Sequence, residues 1–279
     1  MLDDLGYMEQ AVALLKRVKE EQAENIQKAA GLMTEAIRQD RLISVYGGGG
    51  HTTLVMGEMF FRAGGLCNIN PIMETGISVF NQALKYLELE RCVNFGRSVM
   101  KYYDLQKNDL LIIFHNIGIN AATIDAALEA KERGVKIIAV ASSLWQREMP
   151  ADHFIRHPSG KNVFDLADVC IDDYNPVGDA IVTVPGLETP IAPVSNIVDF
   201  TIAHWLEIET VRQCVAASPS PSSIATRSGH RSPKATVTRS RSRRKPPRMA
   251  FSSRPPPTPA MTGTSRAGRS RGVIRSPCK

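Results

Sequence analysis

The runs LLIIF (110–114) and KIIAVAS (136–142) are apolar at nearly every position, and one helical stretch separates them. A strand with one wet face alternates apolar and polar residues, whereas a strand covered on both faces does not. These two runs therefore belong inside a sheet with helices on either side. LISVY (42–46), LCNINPI (66–72) and VCIDD (169–173) read as further strands, and helical stretches lie between them at 53–63, 79–86, 93–103 and 121–134. A last helix covers 195–213. Alternating strands and helices of this kind define an α/β fold built on a parallel sheet.

The chain opens on a stretch predicted to be one long helix over 7–38. Met8, Val12, Leu15, Val18, Ile26, Ala29, Met33 and Ile37 form its apolar stripe, which is interrupted at Lys19 and Gln22. The helix after 121 ends on Gly134, a normal residue just past a helix C-terminus.

Charge divides the chain. Of 34 basic and 28 acidic residues, 15 basic and no acidic ones follow Cys214, so residues 1–214 carry a net charge of −9. Residues 215–279 also hold 10 of the 17 prolines, 13 serines and one aromatic residue, Phe251. Such a segment buries too little apolar area to offset its ordering entropy and is expected to be a disordered, basic tail. The segments RSRSRRKPPR (239–248) and Pro255–Pro259 would suit a polyanion and polyproline II. The acidic body offers no matching groove, so nucleic acid is expected only through the tail. An out-of-frame end of the gene accounts for the tail's composition as well as a function does. Cys67, Cys92, Cys170, Cys214 and Cys278 show no metal or redox spacing and read as reduced thiols of a cytoplasmic protein. The first ten residues have no signal-peptide pattern, and no apolar run approaches the length of a membrane span.

Two strand-to-helix loops carry candidate chemistry. In Tyr46-Gly47-Gly48-Gly49-Gly50-His51-Thr52-Thr53, the glycines let a backbone approach an anion. The helix that follows offers free N–H groups, and Thr52 and Thr53 add hydroxyls. The plain alternative is a tight turn with no ligand. The loop is neither a dinucleotide fingerprint nor a P-loop, since Thr52 or Thr53 falls at the third glycine and no Gly-Lys-Ser/Thr follows. A phosphate without a nucleotide fits better, and no cofactor is expected. The second loop is His115-Asn116-Ile117-Gly118-Ile119-Asn120. Asn120 is placed to cap the next helix, and Asn116 to bind sugar hydroxyls. A capped loop with no ligand is the alternative here too.

The long helix, the glycine loop with Glu58 and Arg62-Ala63-Gly64-Gly65, the strand–HNIGIN–ALEAKERG segment and His157-Pro158-Ser159-Gly160-Lys161 together resemble the SIS (sugar isomerase) family. The resemblance covers about residues 1–213 and is nearest to stand-alone bacterial members of uncharacterised role. It implies a three-layer, flavodoxin-like fold with a five-stranded parallel sheet, a phosphosugar ligand and a homodimer. Thr52 falls at the family's phosphate-binding Ser or Thr. His115 and Ile117 replace two serines of the second loop, and Asn81 replaces a glutamate. Ile117 offers an anion nothing, so the second loop reads as decayed. The rival view is that a charged His115 takes over from the serines.

Aldose–ketose isomerisation needs a base that moves a proton between adjacent carbons. The candidates are Glu58, Glu74, Glu90, His51, His115 and His157, with His51 and Glu58 preferred. Glu88 and Glu90 sit in a charged stretch and read as surface residues. Ser159 and Lys161 belong to a polar loop that could close on a phosphate. His204 reads as packing, and no residue set has metal-ligand spacing. A phosphosugar isomerase or lyase is the leading reading, and a non-catalytic sugar-phosphate sensor is the alternative.

Overall fold

The computed structural model describes residues 3–80 and 82–217. The expectations for Asn81 and for 218–279 lie outside these residues. The chain begins with α1 (Tyr7–Glu21) and α2 (Ala23–Arg38), not with one helix. They meet at Gln22, whose backbone leaves helical angles (φ −109°, ψ 7°) although its N–H still donates to Val18 O and its carbonyl accepts from Ile26 N, each at 2.9 Å. Its side-chain amide oxygen accepts from Asp172 N at 3.2 Å, and its amide nitrogen donates to the Tyr174 hydroxyl. These bonds satisfy the buried amide of Gln22.

The central sheet contains β1 (Ile43–Gly47), β2 (Ile69–Pro71), β3 (Leu110–Phe114), β4 (Lys136–Ala141) and β5 (Val169–Asp172). Its order is β2-β1-β3-β4-β5 and all its pairings are parallel. The crossovers run through α3 (Thr53–Met59), α4 (Ala83–Arg91), α5 (Phe95–Tyr103), α6 (Ala121–Glu132) and α7 (Ser143–Glu148). A short antiparallel pair, β6 (Ala180–Val182) and β7 (Ile191–Pro193), precedes α8 (Ser195–Ala217). The pair and α7 have no sequence counterpart above. The last helix runs four residues beyond its expected end, and buried Thr210 and Cys214 seat its final turns against α2.

Strand residues alternate between two cores. Val45, Ile112, Phe114, Ile138 and Val140 pack beneath α2, α3 and α8. Tyr46, Leu111, Ile113, Ile137 and Ala139 pack beneath α5 and α6. All five residues of β3 are buried, which explains its unbroken apolar run. Each fully buried Ile or Leu stabilises the fold by roughly 1.5–3 kcal/mol. Gly96 lets α5 and α6 touch, since a Cβ there would fall 2.0 Å from Ala122 O. Among the described residues no helix is long and apolar enough to cross a membrane.

Candidate functional site

In an open parallel sheet, a crevice forms at the carboxyl ends of the strands where the strand order reverses. Here that point lies between β1 and β3, whose following loops are the two glycine-containing segments. A cavity of about 430 Å³ opens there. Gly49, Gly50, His51, His115, Asn116, Ile117 and Asn120 line it from those loops. Tyr86, Glu90 and Arg91 come from α4, and Trp145, Met149 and Phe154 from α7 and the segment after it.

Close packing within the protein accounts for the glycines. A Cβ on Gly47 would lie 2.5 Å from Thr52 O, and one on Gly48 would lie 2.0 Å from Thr123 Oγ1. A Cβ on Gly49 would meet Glu90 Oε2 at 2.3 Å. Gly50 adopts φ +57°, a left-handed turn that favours glycine. The two threonines brace this loop. Thr52 donates to Gly49 O and Thr53 to Gly50 O, each at 2.7 Å. Both are buried, and neither lines the cavity. In this structure the hydroxyls of Thr52 and Thr53, expected as ligand groups, donate to the loop's own carbonyls. Gly48 and Gly118 likewise face protein rather than the cavity.

Below the cavity lies a polar network. Asn116 donates from Nδ2 to Asp173 and Asp199, at 3.1 and 3.0 Å. Its Oδ1 is 2.8 Å from His51 Nε2. Ser195, at the start of α8, places Oγ 3.0 Å from the same nitrogen and 2.7 Å from Asp179 Oδ2. Asp173 and Asp199 are fully buried. Burial pushes Asp173 up to about 7 and raises Asp199 as well, with Asp173's charge adding to the push on Asp199.

His115 is also buried. Its Nδ1 accepts from Gly118 N–H at 3.2 Å and lies 2.9 Å from the Thr123 hydroxyl. Burial, and to a smaller degree the charge of His51, drives its pKa down to about 3. Burial therefore favours the neutral ring, which weighs against the view that a charged His115 replaces the serines. Asn120 caps α6 as expected, accepting from Thr123 N at 3.4 Å.

Glu90 corrects a second expectation. It is buried, not at the surface, because α4 packs it against Gly49; Glu88 is exposed. Burial lifts Glu90 to about 7, against smaller opposing effects of the Arg91 charge and a hydrogen bond from Asn120. A carboxyl group poised near neutrality suits proton transfer in both directions.

Several expected residues lie elsewhere. Glu58 does not line the cavity; it pairs with His204 at 3.1 Å and with Arg62. His204 also lies 3.0 Å from Glu207, so it is a hydrogen-bonding residue and not simply a packed one. Ser159 bonds to His157 Nδ1 at 2.8 Å, and Lys161 is exposed. Neither lines the cavity; the loop is held by His157 N–H, which donates to Ile119 O at 2.8 Å. Glu74 closes a turn by accepting from Gly76 N. Ser195, Asp179, Asp173, Asp199, Trp145 and Phe154 escaped sequence reasoning. The one available signal was VCIDD, which places Asp173 just past the carboxyl end of a strand.

Residues 6–142 match the SIS domain family. The chain is 33% identical over 218 residues to a UPF0309 protein of Caldanaerobacter subterraneus subsp. tengcongensis, covering 77% of this chain and 87% of that one. It is 30% identical over 215 residues to a UPF0309 protein of Brucella canis, covering 77% and 86%. The chain belongs to the UPF0309 group of SIS-domain proteins. Solved structures with a similar course include phosphoheptose isomerases from Francisella tularensis (TM-score 0.49, 14% identity) and Neisseria gonorrhoeae (TM-score 0.47, 13% identity). Each comparison covers 76% of this chain, and 100% and 96% of the respective isomerase.

Proposed function

We propose that the cavity binds a phosphorylated sugar and that Glu90 and His51 move protons on it, as in aldose–ketose isomerisation. One observation carries this reading. A single cavity at the switch point brings together a carboxyl group poised near pH 7, an imidazole, two loop amides and the aromatic side chains of Trp145 and Phe154, the latter with Arg91 over its ring. Flat aromatic faces suit the C–H faces of a sugar, and amides suit its hydroxyls. Glu90 as carboxylate takes the proton from C2 and returns it to C1, while His51 moves a proton between the two oxygens. Arg91 supports a phosphate partner, since its Nε is buried with no hydrogen-bond partner among the described residues.

One feature favours a non-catalytic sensor instead: Ile117 lines the cavity where the resemblance implies a serine, and its side chain can donate nothing to an anion. Two measurements separate the readings. A thermal-shift series with sugar phosphates and the same sugars without phosphate tests binding. Proton NMR in D2O then tests turnover, because isomerisation exchanges the C2 hydrogen. Stabilisation by the phosphates with no exchange identifies a sensor, and equal response to sugar and sugar phosphate rejects both readings. Exposed Phe80, Leu84 and Tyr102 support a homodimer, which sedimentation velocity tests.

A further inference from the structure

His51, Ser195 and Asp179 have the composition of a hydrolytic triad but not its connectivity. Three donors converge on the Asp179 carboxylate: Val194 N–H at 3.1 Å, Ser195 N–H at 2.8 Å and the Ser195 hydroxyl at 2.7 Å. The single hydroxyl hydrogen of Ser195 is thereby used. Its oxygen, 3.0 Å from His51 Nε2, accepts from the ring and is not activated by it. Asn116 points the same way. Its Nδ2 serves two carboxylates, so the Oδ1 facing His51 is an acceptor. Two acceptors on Nε2 place the ring hydrogen there. Nδ1 has no hydrogen-bond partner among the described residues, on a residue that lines the cavity.

We infer that Ser195 and Asp179 are positioning residues that, with Asn116, hold His51 as the Nε2–H tautomer and leave Nδ1 as the proton acceptor of the site. The inference rests on the proposed phosphosugar reading for what Nδ1 acts on; the tautomer itself needs no ligand. Asp179 is well placed for the task. One of its oxygens caps the start of α8 while the other reaches the serine, so the acceptor chain is tied to a helix end and not to a free loop.

The test is a long-range proton–nitrogen NMR spectrum of the full chain labelled with nitrogen-15 at its six histidines. It is recorded at about pH 8, where an ordinary imidazole is neutral. The variant His51→Asn assigns the signal. The expected result is a dominant Nε2–H tautomer for His51. Ser195→Ala and Asp179→Asn should each shift the population toward Nδ1–H, and Ser195→Thr should retain the wild-type pattern. Ser195→Ala leaves the backbone bonds to Asp179 in place, so the test survives if Asp179→Asn does not fold. A dominant Nδ1–H tautomer in the wild type, or a pattern unchanged in Ser195→Ala, overturns the inference. Adding glucose 6-phosphate and fructose 6-phosphate to the same samples separates the two ideas. A tautomer that follows the variants, with no ligand-induced change at His51, sustains the positioning role and counts against the phosphosugar reading.

Discussion

A Cβ placed on Gly48 would fall 2.8 Å from Cγ of His115, so the two loops at the head of the sheet are packed without a gap. Gly48→Ala should therefore destabilise the fold by about 1–3 kcal/mol, the usual cost of forcing extra volume into a packed site. Urea denaturation measures it. His115→Ser removes the Cγ contact but leaves Thr123 Oγ1 at 2.0 Å and the Cβ of residue 115 at 2.9 Å, so the double variant should lose only slightly less than the sum of the single losses. Strict additivity would show that the loops do not feel each other.

Glu90 gives stability a pH dependence of known sign. The unfolded chain releases this proton near 4.5 and the folded chain holds it to about 7. Folding takes up a proton in that window, so stability falls as pH rises through it. Glu90→Gln removes this contribution. Relative to wild type it should gain roughly 1–3 kcal/mol between pH 4 and pH 8. Asp173, raised in the same direction, leaves a residual slope in the variant. Denaturation midpoints at the two pH values check the difference, and a constant difference refutes the raised value.

Between pH 6 and pH 8 the His115 ring stays neutral. Sugar-phosphate affinity, corrected for phosphate ionisation, should show no fall attributable to it. Ile117→Ser should tighten binding about tenfold by adding one hydrogen bond to a charged group. Calorimetric titration at three pH values tests both statements. Adding His115→Ser to this variant would confound the result, because the ring lies 2.9 Å from the Thr123 hydroxyl.

Thr52→Val should appear as lost stability of about 1 kcal/mol, since the buried hydroxyl holds Gly49 O. A loss of sugar-phosphate affinity at unchanged stability would instead place the hydroxyl on the ligand.

A chain ending at Ala217 should unfold cooperatively. One ending at residue 209 removes Thr210 and Cys214 from the contact with α2 and should be clearly less stable. Thermal unfolding of the two chains decides it.

The sheet was legible because its interior strands are unbroken apolar runs, and that pattern has one structural meaning. The site was legible only where it sits in glycine loops: His51, Asn116 and Asn120 line the cavity. Glu90 was misjudged because LKYLELER looks like a solvated helix, and only packing against Gly49 buries it. Ser195, Asp179 and Asp199 are isolated polar residues far along the chain from His51. No local spacing links them, and the fold alone makes them neighbours. Glu58 drew attention by following the glycine loop, but α3 turns it toward His204.

The break at Gln22 has a mechanical consequence. That residue fastens the chain to Asp172 and Tyr174 at the sheet edge, while the Tyr7 hydroxyl donates to Pro193 O, 2.9 Å away. The first helix is thus a lever with its fulcrum at Gln22 and its far end hooked to β7. Val194 follows Pro193 directly and donates to Asp179. A short run of hydrogen bonds and one peptide step thus links the first helix to the carboxylate under the Ser195 hydroxyl.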